Sequence, residues 1–228
     1  MKTAIVTGAS RGIGRAVMKK LISENYTVIG TCINNPHLLC DCIPFTGNAG
    51  DPEVCRRLAA FAKEKLGHVD VLVNNAGICV SGLVQDIDDK TFRSIMDTNF
   101  TSVFAMCREI VPMMLSQGSG SILNVSSVWG ETGAACDSVY SASKGAINAF
   151  TKSLADELSA SNIKVNAIMP GAVDTDMNRC YSEEEIKALE AEIPFGRMYT
   201  PEEVAEEIYG IIISGETGVI KKFDGGWT

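Results

Sequence analysis

The sequence predicts an α/β fold: a single doubly wound parallel β-sheet of about seven strands flanked by helices. Short apolar runs alternate with longer amphipathic ones along the whole chain. No Pro/Gly/Ser-rich linker, repeat or low-complexity stretch divides it. Its 228 residues, 46% hydrophobic and 21% charged, are enough for one sizeable core. Strand, helix, strand in succession implies parallel pairing through right-handed crossovers, with helices on both faces. One domain over residues 1–228 is expected.

Thr3–Thr7 is a strand ending at Gly8, and Gly12–Glu24 carries Ile13, Ala16, Val17, Leu21 and Ile22 at helical spacing. Thr27–Cys32 and the brief Ile43–Thr46 read as strands. Asp51 caps, and Pro52 opens, a helix through Leu66. Val69–Asn74 is a continuous apolar strand leading into Asn75-Ala76-Gly77. Asp89–Gln117 reads as two helical pieces meeting near Thr98-Asn99. Ser121–Val125 is a strand, Val139–Ser161 a long helix, and Ile163–Met169 a strand stopped by Pro170-Gly171. Ser182–Glu192 and Pro201–Ile213 are helices, and Gly218–Phe223 is the last strand before Asp224-Gly225-Gly226.

Twenty Lys and Arg against 28 Asp and Glu give a net charge of −8. A nucleic acid or an anionic membrane needs concentrated cations, so neither is an expected partner. No apolar run reaches the ~18 residues of a spanning helix. The apolar stretch after Met1 is too short for the hydrophobic region of a secretory signal, so a cytoplasmic location is expected. Eight cysteines, none in a Cys-x-x-Cys pair, make neither a disulfide nor a zinc framework, and Cys40 and Cys42 stand too close for either. His37 and His68 lack ligand or triad spacing and read as surface residues, so no metal is expected.

Thr7-Gly8-Ala9-Ser10-Arg11-Gly12-Ile13-Gly14 joins the first strand to the first helix. Gly8 permits a sharp turn, Gly12 lets backbone approach a pyrophosphate, and Gly14 allows close helix–strand packing. The free amides and dipole of the helix start would hold the phosphates. With this loop and the Asn74-Asn75-Ala76-Gly77 turn, the chain resembles the short-chain dehydrogenase/reductase family from Thr3 to Asp224-Gly225-Gly226-Trp227. The resemblance implies a Rossmann-like fold that binds a nicotinamide dinucleotide. Its contacts would come from Gly8, Ser10, Arg11, Gly12, Ile13, Gly14, Thr31, Asn75, Ala76 and Gly77. The implied chemistry interconverts a carbonyl and a secondary alcohol by hydride transfer.

Tyr140 and Lys144 are four residues apart in a predicted helix and so share one face. Ser127, thirteen residues before Tyr140, ends a strand where βα loops project into the ligand crevice. These three and Asn99 match the family's catalytic positions, and the spacing favours Ser127 over Ser126, which is expected to be structural. A carbonyl reduced by hydride needs a proton donor at its oxygen, and a free tyrosine, with a pKa of about 10, is a poor one near neutrality. An adjacent ammonium favours the phenolate, so Lys144 is assigned to lower the Tyr140 pKa. By resemblance Lys144 also donates to the nicotinamide ribose. Ser127 would bond the developing alkoxide. Asn99, in the family scheme, holds a water linking Lys144 to solvent. Pro170-Gly171-Ala172-Val173-Asp174-Thr175 resembles the family segment that meets the nicotinamide end, which implies contacts from Pro170, Gly171, Val173 and Thr175 besides Tyr140 and Lys144.

An NAD-selective site places an acid at the end of the second strand, but Gly30-Thr31-Cys32-Ile33-Asn34-Asn35 has none. Arg11 can pair with a 2′-phosphate through its planar fork. NADP(H) is therefore favoured, with NAD(H) left open. The segment between Cys32 and Phe45 is too short for the family's usual helix, which leaves the adenosine end more exposed. Asn48 stands where the family commonly has an Asp facing the adenine.

The overall pattern is most similar to 3-oxoacyl-acyl-carrier-protein reductases, including Thr175–Arg179 and Ile193–Arg197 near their substrate loop. Acidic carrier proteins dock on basic patches, yet this chain is acidic and Pro112–Ser121 has no Lys or Arg. A free ketone, sugar-derived carbonyl or steroid remains the rival substrate. Val80, Trp129, Met169 and Met177 are candidate pocket linings, and residues 176–192 read as a mobile acidic lid. Apolar Phe104, Ile110, Val111, Phe150 and Leu154 lie on two long helices that, by the resemblance, form the interface of a homodimer or homotetramer, although Phe150 and Leu154 could equally pack internally. A non-catalytic dinucleotide-binding sensor on the same fold is the alternative of another class.

Overall fold

The computed structural model describes residues 1–178 and 182–228. Seven parallel strands form one sheet in the order β3-β2-β1-β4-β5-β6-β7. They are β1 Lys2–Val6, β2 Tyr26–Cys32, β3 Ile43–Thr46, β4 Val71–Asn74, β5 Gly120–Val125, β6 Ile163–Pro170 and β7 Ile220–Phe223. This is the predicted Rossmann-like architecture.

Successive strand side chains point to opposite faces, and here both faces are covered, which is why the strands read as continuous apolar runs. Ala4 and Val6 pack with Val28, Val73, Leu123 and Ile168 beneath α1 (Gly12–Ser23) and α8 (Pro201–Ile213). Ile5, Leu72, Ile122 and Val165 face the other way, against α2 (Pro52–Leu66), α4 (Ser102–Gln117) and α6 (Ser138–Glu157). Strand order reverses between β1 and β4, so the crevice beyond their carboxyl ends is the expected ligand position.

The helices start where their capping residues dictate. Asp51 accepts from Glu53 N–H at 2.9 Å, with Pro52 in the first turn of α2. Asp88 accepts from Thr91 N–H at the start of α3 (Asp89–Met96). Ser182 and Thr200 form capping boxes with Glu185 and Glu203 at α7 (Glu183–Glu192) and α8. The expected break near Thr98-Asn99 is a π-helical turn, Asp97–Thr101, between α3 and α4. The long helix expected through Ser161 ends at Glu157 and is followed by a separate turn. Between β2 and β3 a single turn, Pro36–Leu39, stands where a helix would need more chain. The short helix α5 (Trp129–Thr132) has no apolar periodicity long enough to announce it.

On the outer helices, Ile110 and Leu154 belong to the internal core, whereas Phe104 is 43% exposed and meets Phe150 edge-on at 6.3 Å. The described cysteines are free, with Cys32, Cys55 and Cys107 buried. His37 is exposed, and His68 lies beside Asp70 at 3.3 Å. Among the described residues no group of His, Cys, Asp and Glu could hold a metal ion. No helix among them is long and apolar enough to cross a membrane.

Candidate active site

The glycine loop is built from the inside. Gly8 and Gly12 adopt positive φ, +66° and +52°, which glycine takes without strain. Gly8 N–H donates to Thr31 Oγ at 3.1 Å, and Ala9 N–H to Thr31 O at 2.8 Å. Thr31, expected as a cofactor contact, is buried and spends its hydroxyl on the loop. Asn75 does similar work: its amide donates to Thr7 O at 3.0 Å and Gly8 O at 3.2 Å. The Asn75 and Ala76 N–H groups in turn donate to Thr7 Oγ1 at 2.9 and 3.0 Å.

A side chain at Gly14 would strike Gly8 O and the Asn75 amide closer than real carbon atoms approach. Gly14→Ala is therefore expected to destabilise the fold by about 2 kcal/mol or more, seen as a lower urea midpoint. An unchanged midpoint would show that the loop yields instead.

Helix α1 starts at Gly12, and its N-cap Arg11 makes no side-chain cap bond, so no capping side chain competes with a ligand oxyanion for its first amides. Ile13 packs partly buried against the core, and Ser10 and Gly12 are half-buried. Across the crevice Thr175 is the nearest neighbour that a Gly12 side chain would meet, at 3.3 Å. This cradle, glycine-lined, uncapped and bounded by Thr175, fits a pyrophosphate, and the residues present are compatible with a nicotinamide dinucleotide.

The loop after β6 is pinned by backbone bonds. Gly171 N–H donates to Phe223 O, and Tyr199 pairs with Ala172 and Asp174 around buried Val173. Asn178 donates to Val173 O at 2.8 Å. Pro170 closes β6 and its carbonyl accepts from Val128 N–H. Arg11 lies at the crevice edge, its side chain 70% exposed, with one guanidinium nitrogen 3.8 Å from Asp176. Beyond β2, residues 33–38 are exposed. Asn48 is exposed, and its side-chain oxygen accepts from Gly50 N–H at 3.0 Å. Of the stretch expected as a lid, Asp176–Asn178 form one turn and Glu183–Glu192 form α7, while Arg179 lies outside the described residues.

Ser127, Tyr140, Lys144 and Asn99 converge at the ends of β4 and β5. Ser127 follows β5, is buried, and its Oγ accepts from Trp129 N–H at 3.2 Å. Tyr140 and Lys144 sit one turn apart on α6, with the ammonium 5.6 Å from the phenol ring centre. A side chain at Gly77 would meet Asn99 Oδ1 at 3.4 Å and Lys144 Nζ at 3.5 Å, which places the Asn75–Gly77 turn directly over both. Asn99, fully buried in the π-helical turn, accepts from Ile78 N–H at 2.8 Å and donates to Ile78 O and Ser143 Oγ. Widened helical turns of this kind recur at functional sites. Ser126, the competing serine, is buried and donates to Lys144 O at 3.0 Å, a bond that fixes α6 against β5.

Burial governs the electrostatics here. It pushes the Tyr140 phenol well above its ordinary value, and the hydrogen bond with Ser127 opposes this only in part. Burial also lowers Lys144 from 10.5 to about 8, while its Nζ donates to Val125 O at 2.9 Å. Desolvation is the largest influence on Tyr140 here, and the Lys144 ammonium expected to lower it donates to Val125 O. Cys79 and Asp137 add to the upward push on Tyr140. They form a cluster that the sequence reading missed: Cys79 and Ser81 both donate to Asp137, at 3.4 and 2.6 Å. Of the expected linings, Met169 is buried with its sulfur against Asn148, whereas Val80 and Met177 are exposed at 44% and 49%.

The pattern of short chain dehydrogenases matches residues 2–186. An uncharacterized oxidoreductase of Bacillus subtilis, YmfI, is 34% identical over 238 residues, covering 99% of this chain and 98% of that protein. The 3-oxoacyl-acyl-carrier-protein reductase FabG of Vibrio cholerae is 35% identical over 214 residues, covering 91% of this chain and 88% of its own. The reductase of the same name from Escherichia coli matches with the same identity and coverage.

Proposed function

The chain belongs to the short chain dehydrogenase family, oxidoreductases of CH–OH and carbonyl groups that use a nicotinamide dinucleotide; from that premise we propose an NADP(H)-dependent reductase of 3-oxoacyl thioesters. The observation that carries the reading is the convergence of buried Ser127 and Lys144 with half-buried Tyr140 beside the Asn75–Gly77 turn. The name of the FabG relatives supports the substrate class.

When bound, the reduced nicotinamide supplies the hydride. Ser127 Oγ and Tyr140 Oη bond the substrate oxygen, and Tyr140 passes it a proton as negative charge develops there. The raised phenol pKa keeps that proton in place until the oxygen has become the stronger base. Lys144, with a pKa of about 8, stays largely charged at neutral pH and offsets the phenolate left behind. Asn99 holds the Ile78 backbone and Ser143 in position around them.

For the cofactor, the missing carboxylate after β2 and the exposed Arg11 guanidinium support a 2′-phosphate. Arg11→Ala is expected to lower kcat/KM with NADPH by about tenfold, the loss of one charge-assisted pair, and by less with NADH. An equal fall with both would assign Arg11 to the loop or the pyrophosphate. A second reading, a carbonyl compound free of any carrier protein, is favoured by the lack of Lys and Arg in residues 112–121. Initial rates with 3-oxoacyl groups on acyl carrier protein, on coenzyme A and as free ketones separate the two. No turnover of any of them would favour a dinucleotide-binding sensor. The exposed Phe104 supports pairing with a second copy as a homodimer or homotetramer, and the free thiols suit a cytoplasmic location.

A further inference from the structure

The segment after β7 folds back on itself around one buried carboxylate. Asp224 accepts from Gly226 N–H at 3.0 Å, from Thr228 N–H at 2.9 Å and from Thr228 Oγ1 at 3.0 Å. Burial opposes its charge, but these donors outweigh that and hold the carboxyl below its ordinary range. Lys222 ties the segment to α5 through Glu131 at 3.2 Å. Gly225 leaves no room beside Phe195, whose N–H donates to Gly225 O at 3.1 Å.

The consequence is a fixed position for Trp227. Its ring lies edge-on to Trp129, with centroids 4.9 Å apart and planes at 63°, a favourable aromatic geometry. Trp129 is two residues beyond Ser127 and donates its N–H to the Ser127 hydroxyl. The next residue, Gly130, packs directly on the Lys144 backbone, where an added carbon would lie 2.7 Å from Lys144 C. The Trp129–Gly130 backbone thus packs on Ser127 and on the helix that carries Tyr140 and Lys144, and Trp227 packs on the Trp129 ring. Both indoles are only half-buried, so part of their apolar surface stays open.

We propose that Trp227 is a specificity-determining residue: with Trp129 it closes the Ser127 end of the substrate crevice and restricts the acyl part to a short chain. This rests on the thioester-reductase reading above. Nothing in the proton transfer requires two indoles, whereas a pocket wall does require rigid, bulky and apolar side chains.

The test compares kcat/KM for a long thioester, 3-oxodecanoyl coenzyme A, with that for a short one, acetoacetyl coenzyme A. In Trp227→Ala the long-to-short ratio is expected to rise about tenfold over the unsubstituted protein, and in Trp227→Leu by less. Dinucleotide affinity and the melting transition, measured on the same samples, report whether each variant is folded. A ratio that stays put in both folded variants, or a parallel loss with both thioesters, overturns the wall. If the unsubstituted protein reduces neither thioester, the substrate reading has failed and the wall falls with it. If it reduces them and the ratio does not move, the wall alone has failed.

Discussion

Tyr140→Phe is expected to cut turnover of every carbonyl substrate by about 10³-fold, within the range that a positioned general acid contributes. The substitution removes one oxygen and little else. The ring that faces the Lys144 ammonium at 5.6 Å remains, and so does the helix that presents it. The glycine loop and α1 start lie on separate elements, so dinucleotide affinity is expected to stay within a factor of about three. Fluorescence titration with the dinucleotide and initial rates with a thioester check the two halves separately. Near-normal rates would take Tyr140 out of the mechanism, and lost affinity would mean that the phenol holds the cofactor rather than the proton.

Lys144→Met is expected to abolish turnover while leaving the melting temperature at pH 7 no lower than that of the unsubstituted protein. Lys144 is 4% exposed, and burial lowers it from 10.5 to about 8. That difference corresponds to an order of ~3 kcal/mol of strain carried by the charged form. Methionine removes the strain but leaves Val125 O without its donor, a loss of about 1–3 kcal/mol. The sign of the pH effect discriminates. Between about pH 8 and 10.5 the unfolded chain keeps a proton that the folded chain has released, so this group adds stability as pH rises through that window. Below about 8 both states are protonated and the full penalty applies. The methionine variant lacks this rise, so its advantage is expected to shrink from pH 7 toward pH 10 in thermal melts. A variant that melts lower at pH 7 and tracks the parent at every pH would show that the buried ammonium is not strained. Both outcomes concern stability and do not depend on knowing the substrate.

Much of the fold is legible in the sequence because both of its periodicities are strong. Every strand was readable, with ends displaced by at most two residues: Val69–Asn74 begins pairing at Val71, and Gly218–Phe223 at Ile220. Helix starts were readable wherever a side chain caps them, as at Asp51 and Ser182. The segments that escaped, Pro36–Leu39 and Trp129–Thr132, are single turns held by their neighbours, too short for a period to develop. At the site, spacing put Tyr140 and Lys144 on one helix face with Ser127 at a strand end, and the family resemblance added Asn99. They could not tell that Thr31 and Asn75 spend their polar atoms on the glycine loop.

The sequence by itself determined the succession of strands and helices and the glycine turn, since each is written in local spacing and backbone chemistry, while its family resemblance pointed to the four polar residues. Tertiary structure alone decided that burial, rather than the neighbouring ammonium, dominates Tyr140, that Asp137 gathers Cys79 and Ser81, and that Trp227 reaches Trp129. The physical reason is shared: desolvation and contacts between residues far apart in the chain depend on how faces meet, and no local pattern records which faces will.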